Sequence, residues 1–287
     1  MAAHTIGPIL ITGCSSGIGK AAAKHLAQAG YAVYATARRP ESLAELAALG
    51  CKTLALDVTN EDSMAAAVAQ IEAEHGAVGV LINNAGYGEY GVLEELPMDA
   101  LRRQFETNVF GAVRLCQLVL PAMRARGAGR IINIGSMGGQ MTFPVGGAYH
   151  ATKYAMESLS DALRVEVKPF GIQVALIQPG YVVTDFTHTL RSSDAIQSEP
   201  AKPSPYAGLI AAFDRALEKS YKGAFGPTTT ADDVARVIVK AVGAARMRTR
   251  YQDGLVAVMN PLMRRWLTDT GWDWFMARAM PWKPSRS

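Results

Sequence analysis

The chain has 287 residues, 49% hydrophobic and 19% charged, with mean hydropathy +0.07, which supplies ample apolar material for a large core and excludes a disordered or low-complexity protein. The formal charge of +4 comes from scattered basic residues, apart from 246–250 and Arg264 with Arg265, so no basic stripe with interleaved aromatics suggests a nucleic-acid surface. Cys14, Cys51 and Cys116 lie far apart without a C-x-x-C pair, and no run nears the ~20 apolar residues that cross a bilayer; neither a disulfide framework, a metal site nor a transmembrane segment is expected.

The N-terminus "MAAHTIGPILITG" lacks the charged lead and long apolar core of a signal peptide, so a soluble protein of the reducing cytoplasm is expected. A first strand is predicted near 8–12 ("PILIT"), followed by the glycine-bearing "TGCSSGIGK" and a helix over 17–29. Gly13, Gly17 and Gly19 let the chain turn tightly and bring backbone N–H groups near a phosphate, which the helix N-terminus also attracts. A nucleoside triphosphate loop is disfavoured, because Cys14 stands where its first glycine is needed and Ala21 replaces the magnesium-holding hydroxyl. A dinucleotide site fits better.

A second strand at 32–37 ends in Arg38 and Arg39, with a helix expected over 41–49. A third at 52–57 closes on Asp57 and Val58, and a helix over 61–75 leads to a fourth at 78–83 that runs into "NNAG". One long helix is predicted over 99–126, carrying Asn108. A fifth strand at 130–135 ends at Ser136, a helix spans 147–169, and a sixth strand covers 172–178 before "PGYVVT". Residues 185–230 change character, with four prolines and one helical stretch at 206–222, and read as a mobile lid over the substrate. A helix at 231–245 and a last strand within "RYQDGLVAVM" complete the domain. Most of the runs are apolar throughout, as in strands covered on both faces, so the expected fold is α/β: a single doubly wound Rossmann-type domain over 1–260, its parallel sheet flanked by helices on both faces. The tail, 261–287, belongs to a region holding all four tryptophans interleaved with arginines. Three readings of it stay open: a membrane surface, a partner subunit, or a cover over the lid.

In such sheets ligands bind beyond the carboxyl ends of the strands. Tyr149 and Lys153, four residues apart, leave the same helix face there. An ammonium beside a phenol stabilises the phenolate, which suits proton transfer. Lowering a phenol by about three units takes about 4 kcal/mol. One cation at ~4 Å gives about 1 kcal/mol in water and about 4 at an effective dielectric near ~20, so the pair needs a sheltered cleft, and burial of the phenol opposes it.

The loop Thr12–Gly19, "NNAG" at 83–86, Asn108, Ser136, Tyr149-x-x-x-Lys153 and "PGYVVT" at 179–184 together resemble the short-chain dehydrogenase/reductase superfamily over roughly residues 8–185. The "CSSGIG" loop and the long lid are most similar to its steroid and retinol dehydrogenase branch. The resemblance implies that Tyr149 is the acid/base toward a carbonyl or alcohol, that Ser136 orients the substrate oxygen, that Lys153 also bonds the nicotinamide ribose, and that Asn108 holds a water. It further implies cofactor contacts from Gly13, Ser15, Ser16, Gly17, Ile18 and Gly19, from Asp57 and Val58 at the adenine, from Asn84, Ala85 and Gly86 at its ribose, and from Pro179, Gly180, Val182 and Thr184 at the nicotinamide. No carboxylate follows the second strand to bind a 2′-hydroxyl; Arg38 offers a fork for a 2′-phosphate and Ser16 a hydroxyl, so NADP(H) is expected over NAD(H).

Met137, Met141, Phe143, Val145, Tyr181, Phe186 and Phe213 are candidate walls, and their apolar character points to a bulky apolar ketone or secondary alcohol such as a steroid, retinoid or aryl carbonyl. The resemblance also implies a homodimer or homotetramer through the helices of Asn108 and Tyr149. The alternative is a nonenzymatic NADP(H)-sensing protein on the same scaffold.

Overall fold

A computed structural model describes residues 6–183, 204–223 and 228–284. The strands in chain order are β1 (Ile9–Ile11), β2 (Val33–Ala37), β3 (Lys52–Ala55), β4 (Val80–Asn83), β5 (Gly129–Ile134), β6 (Ile172–Pro179), β7 (Val182–Val183), β8 (Thr229–Thr230) and β9 (Arg250–Asp253). Seven of them form one sheet in the order β3-β2-β1-β4-β5-β6-β9, and every pairing is parallel. The chain winds outward from β1 to β3, returns, and winds the other way from β4, which opens a crevice at the carboxyl ends of β1 and β4.

Alternation along each strand divides the core. Ile9 and Ile11 face α1 (Gly17–Gln28) and the helix Ala231–Gly243, where Ala22, Ala23, Leu26, Val234 and Ile238 are buried. Leu10, Leu81 and Ile131 face the opposite layer, with Met64 and Ile71 of α2 (Glu61–His75) and Leu115, Val119 and Met123 of α3 (Gly111–Arg126). Only such two-sided burial allows a strand to be apolar at every position. The three cysteines sit buried as free thiols, and burial pushes Cys14 and Cys116 up to about 12.

Three expectations differ from what forms. The long helix expected over 99–126 is broken into Met98–Phe105, a π turn at Glu106–Phe110, and α3. The π turn widens the helix where Asn108 turns inward, a feature common near functional sites. The stretch expected at 41–49 starts as a 3-10 turn, Pro40–Leu43, and leaves only Ala44–Ala48 as α-helix. The run "LVAVM" is not strand: β9 stops at Asp253 and a helix, α4 (Leu255–Trp266), runs through position 261 with Pro261 inside it.

Helices α2 and α3 end on Gly76 and Gly127, both left-handed, at the rim opposite the crevice. At the edges of the segment expected to form a lid, β7 pairs with β8 in a two-stranded ribbon. Between them the helix Ala207–Tyr221 buries Leu209, Phe213 and Leu217. Among the described residues no helix is long and apolar enough to cross a membrane.

Candidate active site at the carboxyl ends of the strands

A cleft of about 810 Å³ lies over the crevice and is lined from six strand ends. Of the residues expected to bind cofactor, Gly13, Ser15, Ser16, Gly17, Ile18, Arg38, Asp57, Val58, Asn84, Ala85, Gly86, Pro179, Gly180 and Val182 line it. Gly19 does not. A Cβ there would sit 2.3 Å from Gly13 O and 2.4 Å from Asn84 Nδ2, so its task is to let the loop pack against its neighbour. Thr184 and Phe186 lie outside the described residues.

The glycine loop and the "NNAG" segment hold each other. Thr12 Oγ1 accepts from the N–H groups of Asn84 (3.0 Å) and Ala85 (2.9 Å), and Asn84 Nδ2 donates to Thr12 O (2.8 Å) and Gly13 O (3.0 Å). Gly13 (φ +71°) cannot be replaced freely, because a Cβ would lie 2.9 Å from Ala85 Cα. Ser16 is the N-cap of α1 yet makes no side-chain cap bond, and the first turn carries no acid. The helix therefore presents unsatisfied N–H groups and positive dipole to the cleft, an arrangement that fits a pyrophosphate. Arg38, exposed at the end of β2, stands across from Asp57 and Val58 on the same cleft wall. Asp57 is engaged locally, its Oδ1 accepting from Thr59 N–H and Oγ1, while Asn60 rather than Asp57 caps α2.

At the other end the helix α5 (Gly147–Val167, following Met98–Phe105 and α3 on the same face) carries Tyr149 and Lys153, both buried. A chain of amides fixes this helix to the sheet: Asn83 Nδ2 donates to Asn133 Oδ1 (2.9 Å), and Asn133 Nδ2 to Ser160 Oγ (2.8 Å). Lys153 Nζ donates to Ile134 O (2.8 Å) and stands 5.7 Å from the centre of the Tyr149 ring. Ser136, the cap of a short turn after β5, accepts from Gly138 N–H (3.0 Å) and faces the Tyr149 hydroxyl.

The protonation balance departs from expectation. Burial pushes Tyr149 up to about 12, a hydrogen bond from Ser136 pulling the other way, and burial pulls Lys153 down to about 8. Among the protein's own groups desolvation outweighs the cation, which addresses the ring face rather than the hydroxyl. The phenol is thus held as an acid at neutral pH.

Asn108 does not line the cleft. Its Oδ1 accepts from Tyr87 N–H (3.0 Å) and its Nδ2 donates to Tyr87 O (2.8 Å) and Thr152 Oγ1 (3.2 Å). The side chain clamps the loop after "NNAG" to the helix that carries Tyr149.

Of the candidate walls, Met137, Phe143 and Tyr181 reach the cleft, whereas Met141, Val145 and Phe213 are buried behind it. Sequence reasoning missed Tyr90, Leu217 and Tyr221. Tyr90 stacks on Tyr149 with centres 5.5 Å apart and on Phe213 at the same separation. An aromatic shortly after the fourth strand end was the available signal.

His150, also on the cleft wall, is 1% exposed; its Nδ1 contacts Gly138 O at 2.8 Å, so the ring is neutral with Nδ1 protonated. Burial lowers it from 6.5 to about 4. The unfolded chain binds this proton first as pH falls, so stability of about 3 kcal/mol is present above pH ~6.5 and lost toward pH ~4. In His150→Asn the acid-side loss is expected to be shallower, as read by urea melts at neutral and mildly acidic pH; an identical slope would remove His150 as its source.

The comparisons with known proteins agree with this geometry. The short chain dehydrogenase family matches residues 8–195. The 3-ketodihydrosphingosine reductase of Bacteroides thetaiotaomicron is 38% identical over 262 residues, covering 91% of this chain and 93% of that one. A short-chain dehydrogenase structure from Streptomyces avermitilis superposes with TM-score 0.77 at 35% identity, covering 90% of this chain and 92% of its own. A variant of actinorhodin polyketide ketoreductase solved with NADPH superposes with TM-score 0.74 at 29% identity, covering 90% and 99%. With its doubly wound sheet, glycine loop and Tyr149–Lys153 helix, the chain belongs to the short-chain dehydrogenase family of oxidoreductases.

Proposed function

We propose that the chain is an NADP(H)-dependent oxidoreductase that interconverts a ketone or aldehyde and an alcohol on a bulky apolar substrate, with Tyr149 as acid/base. The observation that carries it is the meeting of the buried Tyr149 and Lys153 with the half-buried Ser136 in the cleft that also holds the glycine loop. The nicotinamide, when bound, supplies the hydride chemistry. Tyr149 Oη gives its proton to the substrate oxygen during reduction and takes one back in the reverse direction, and its preference for the protonated form suits the reductive role. Ser136 donates to the same oxygen and fixes its position. Lys153, tethered to Ile134 O, is positioned by that bond to hold the nucleotide ribose. Tyr90 stacks on the ring of Tyr149, and Asn108 bonds Thr152 of the same helix.

Support for NADP(H) comes from Arg38 on the cleft wall, the lack of an acid at the end of β2, and the NADPH in the related ketoreductase. Arg38→Asp is expected to move the kcat/KM ratio of NADPH over NADH by roughly 10- to 100-fold toward NADH, the worth of a charge-assisted pair. A wild-type enzyme that uses NADH as well as NADPH would remove the assignment.

Met137, Phe143, Tyr181 and Leu217 support an apolar substrate, and the name of the Bacteroides relative favours a long-chain keto amphiphile over a steroid or retinoid. A panel of long-chain keto amphiphiles, steroids, retinal, aryl ketones and small polar carbonyls, followed by NADPH absorbance, tests this. Turnover confined to the small polar compounds would overturn it. Phe110, Tyr154 and Val165, apolar and exposed on the π turn and on α5, support a homo-oligomer through these helices.

A further inference from the structure

Helix α4 is apolar on two faces. The inner one buries Val256, Ala257 and Pro261, which pack with Met137, Met141 and Trp272 into the wall behind the cleft. The outer one carries Leu255, Val258, Met259, Leu262 and Trp266, which are 58%, 41%, 51%, 45% and 81% exposed. These positions recur at intervals of three, four and seven and make one stripe about 16 Å long on the solvent side. A contiguous exposed stripe of this kind marks a docking surface.

Charge identifies what it docks on. Residues 245–284 hold seven basic side chains against three acidic ones, so the formal excess of this stretch equals the +4 of the entire chain. Arg246, Arg248, Arg265, Arg278 and Lys283 are exposed. Arg265 adjoins Trp266 at the edge of the stripe, and Arg278 lies 4.2 Å from the ring centre of Trp274, itself 60% exposed. Large apolar side chains flanked by tryptophan and arginine match a headgroup boundary, where the stripe enters the acyl edge and the cations meet lipid phosphates.

The helix that bears the stripe lies beside the cleft, its inner face against Gly180. A Cβ on Gly180, which lines the cleft, would stand 3.5 Å from Ala257 N and 3.7 Å from its Cβ. We propose that α4 docks the protein on an anionic lipid surface, so that an amphiphilic substrate passes from the bilayer to the cleft without crossing bulk water. The docking is separable from the substrate reading, because it is measured without turnover.

The test is co-sedimentation of the full chain with vesicles of phosphatidylcholine alone or of equimolar phosphatidylcholine and phosphatidylglycerol. The expected result is pelleting with the anionic vesicles, weakened by salt, and at least about tenfold weaker in Leu262→Glu/Trp266→Glu. Unchanged reduction of a water-soluble carbonyl reports that this variant is folded; Leu262→Ser/Trp266→Ser serves if it is not. Wild-type protein that stays in the supernatant with anionic vesicles overturns the proposal, as does pelleting that the double variant leaves intact. Loss of an oligomer in the variant, without any vesicle binding by the wild type, would assign the stripe to a second copy of the chain instead.

Discussion

Tyr149→Phe is expected to lower kcat for carbonyl reduction by roughly a hundredfold to ten-thousandfold, the usual worth of a positioned general acid. The ring is held by its stacking on Tyr90 and by the surrounding apolar cluster, so the substitution removes the hydroxyl and little else. NADPH affinity, read by fluorescence titration, should change only slightly. Turnover that survives intact would end the acid/base assignment and leave nucleotide binding standing. Because the phenol is held up near 12, the reductive rate of the wild type should not fall from loss of the tyrosine's proton anywhere between pH 6 and 9.

Lys153→Met separates stability from activity. A buried ammonium that donates to Ile134 O is costly: its fall from 10.5 to about 8 corresponds to about 3 kcal/mol below pH ~8. Between pH ~8 and ~10.5 the unfolded chain keeps this proton while the folded one releases it, so wild-type stability should rise across that window. Lys153→Met is expected to unfold later on heating at pH 7, to lose that rise, and to lose most of its carbonyl reduction together with part of its NADPH affinity. A variant less stable than wild type at pH 7 would mean that contacts beyond the Ile134 carbonyl outweigh the cost of burying the ammonium.

The doubly wound sheet was legible because its strands are covered on both faces, so Ile9–Ile11 and positions 80–82 read as unbroken apolar runs. The cofactor end was legible because its chemistry is carried by backbone, and glycines announce backbone that approaches closely. The interruption at Glu106–Phe110 was hidden, since one extra residue in a turn leaves helical periodicity nearly unchanged. "LVAVM" misled because a short apolar run is shared by buried strands and helices. The protonation of Tyr149 was not legible for a different reason. Spacing places Lys153 on the right face, but the balance between its charge and the dryness of the cleft depends on Tyr90, from a loop, and on Phe213 and Leu217, from a helix far along the chain.

All the functional loops leave one rim of the sheet, while the left-handed glycines Gly76 and Gly127 close helices at the other. A Cβ at either glycine would meet nothing within 4 Å, and both residues are exposed, so each corner has an open side. New termini, fluorescent labels or surface tethers introduced at that far edge should therefore leave catalysis untouched, which makes it the natural place to handle the molecule.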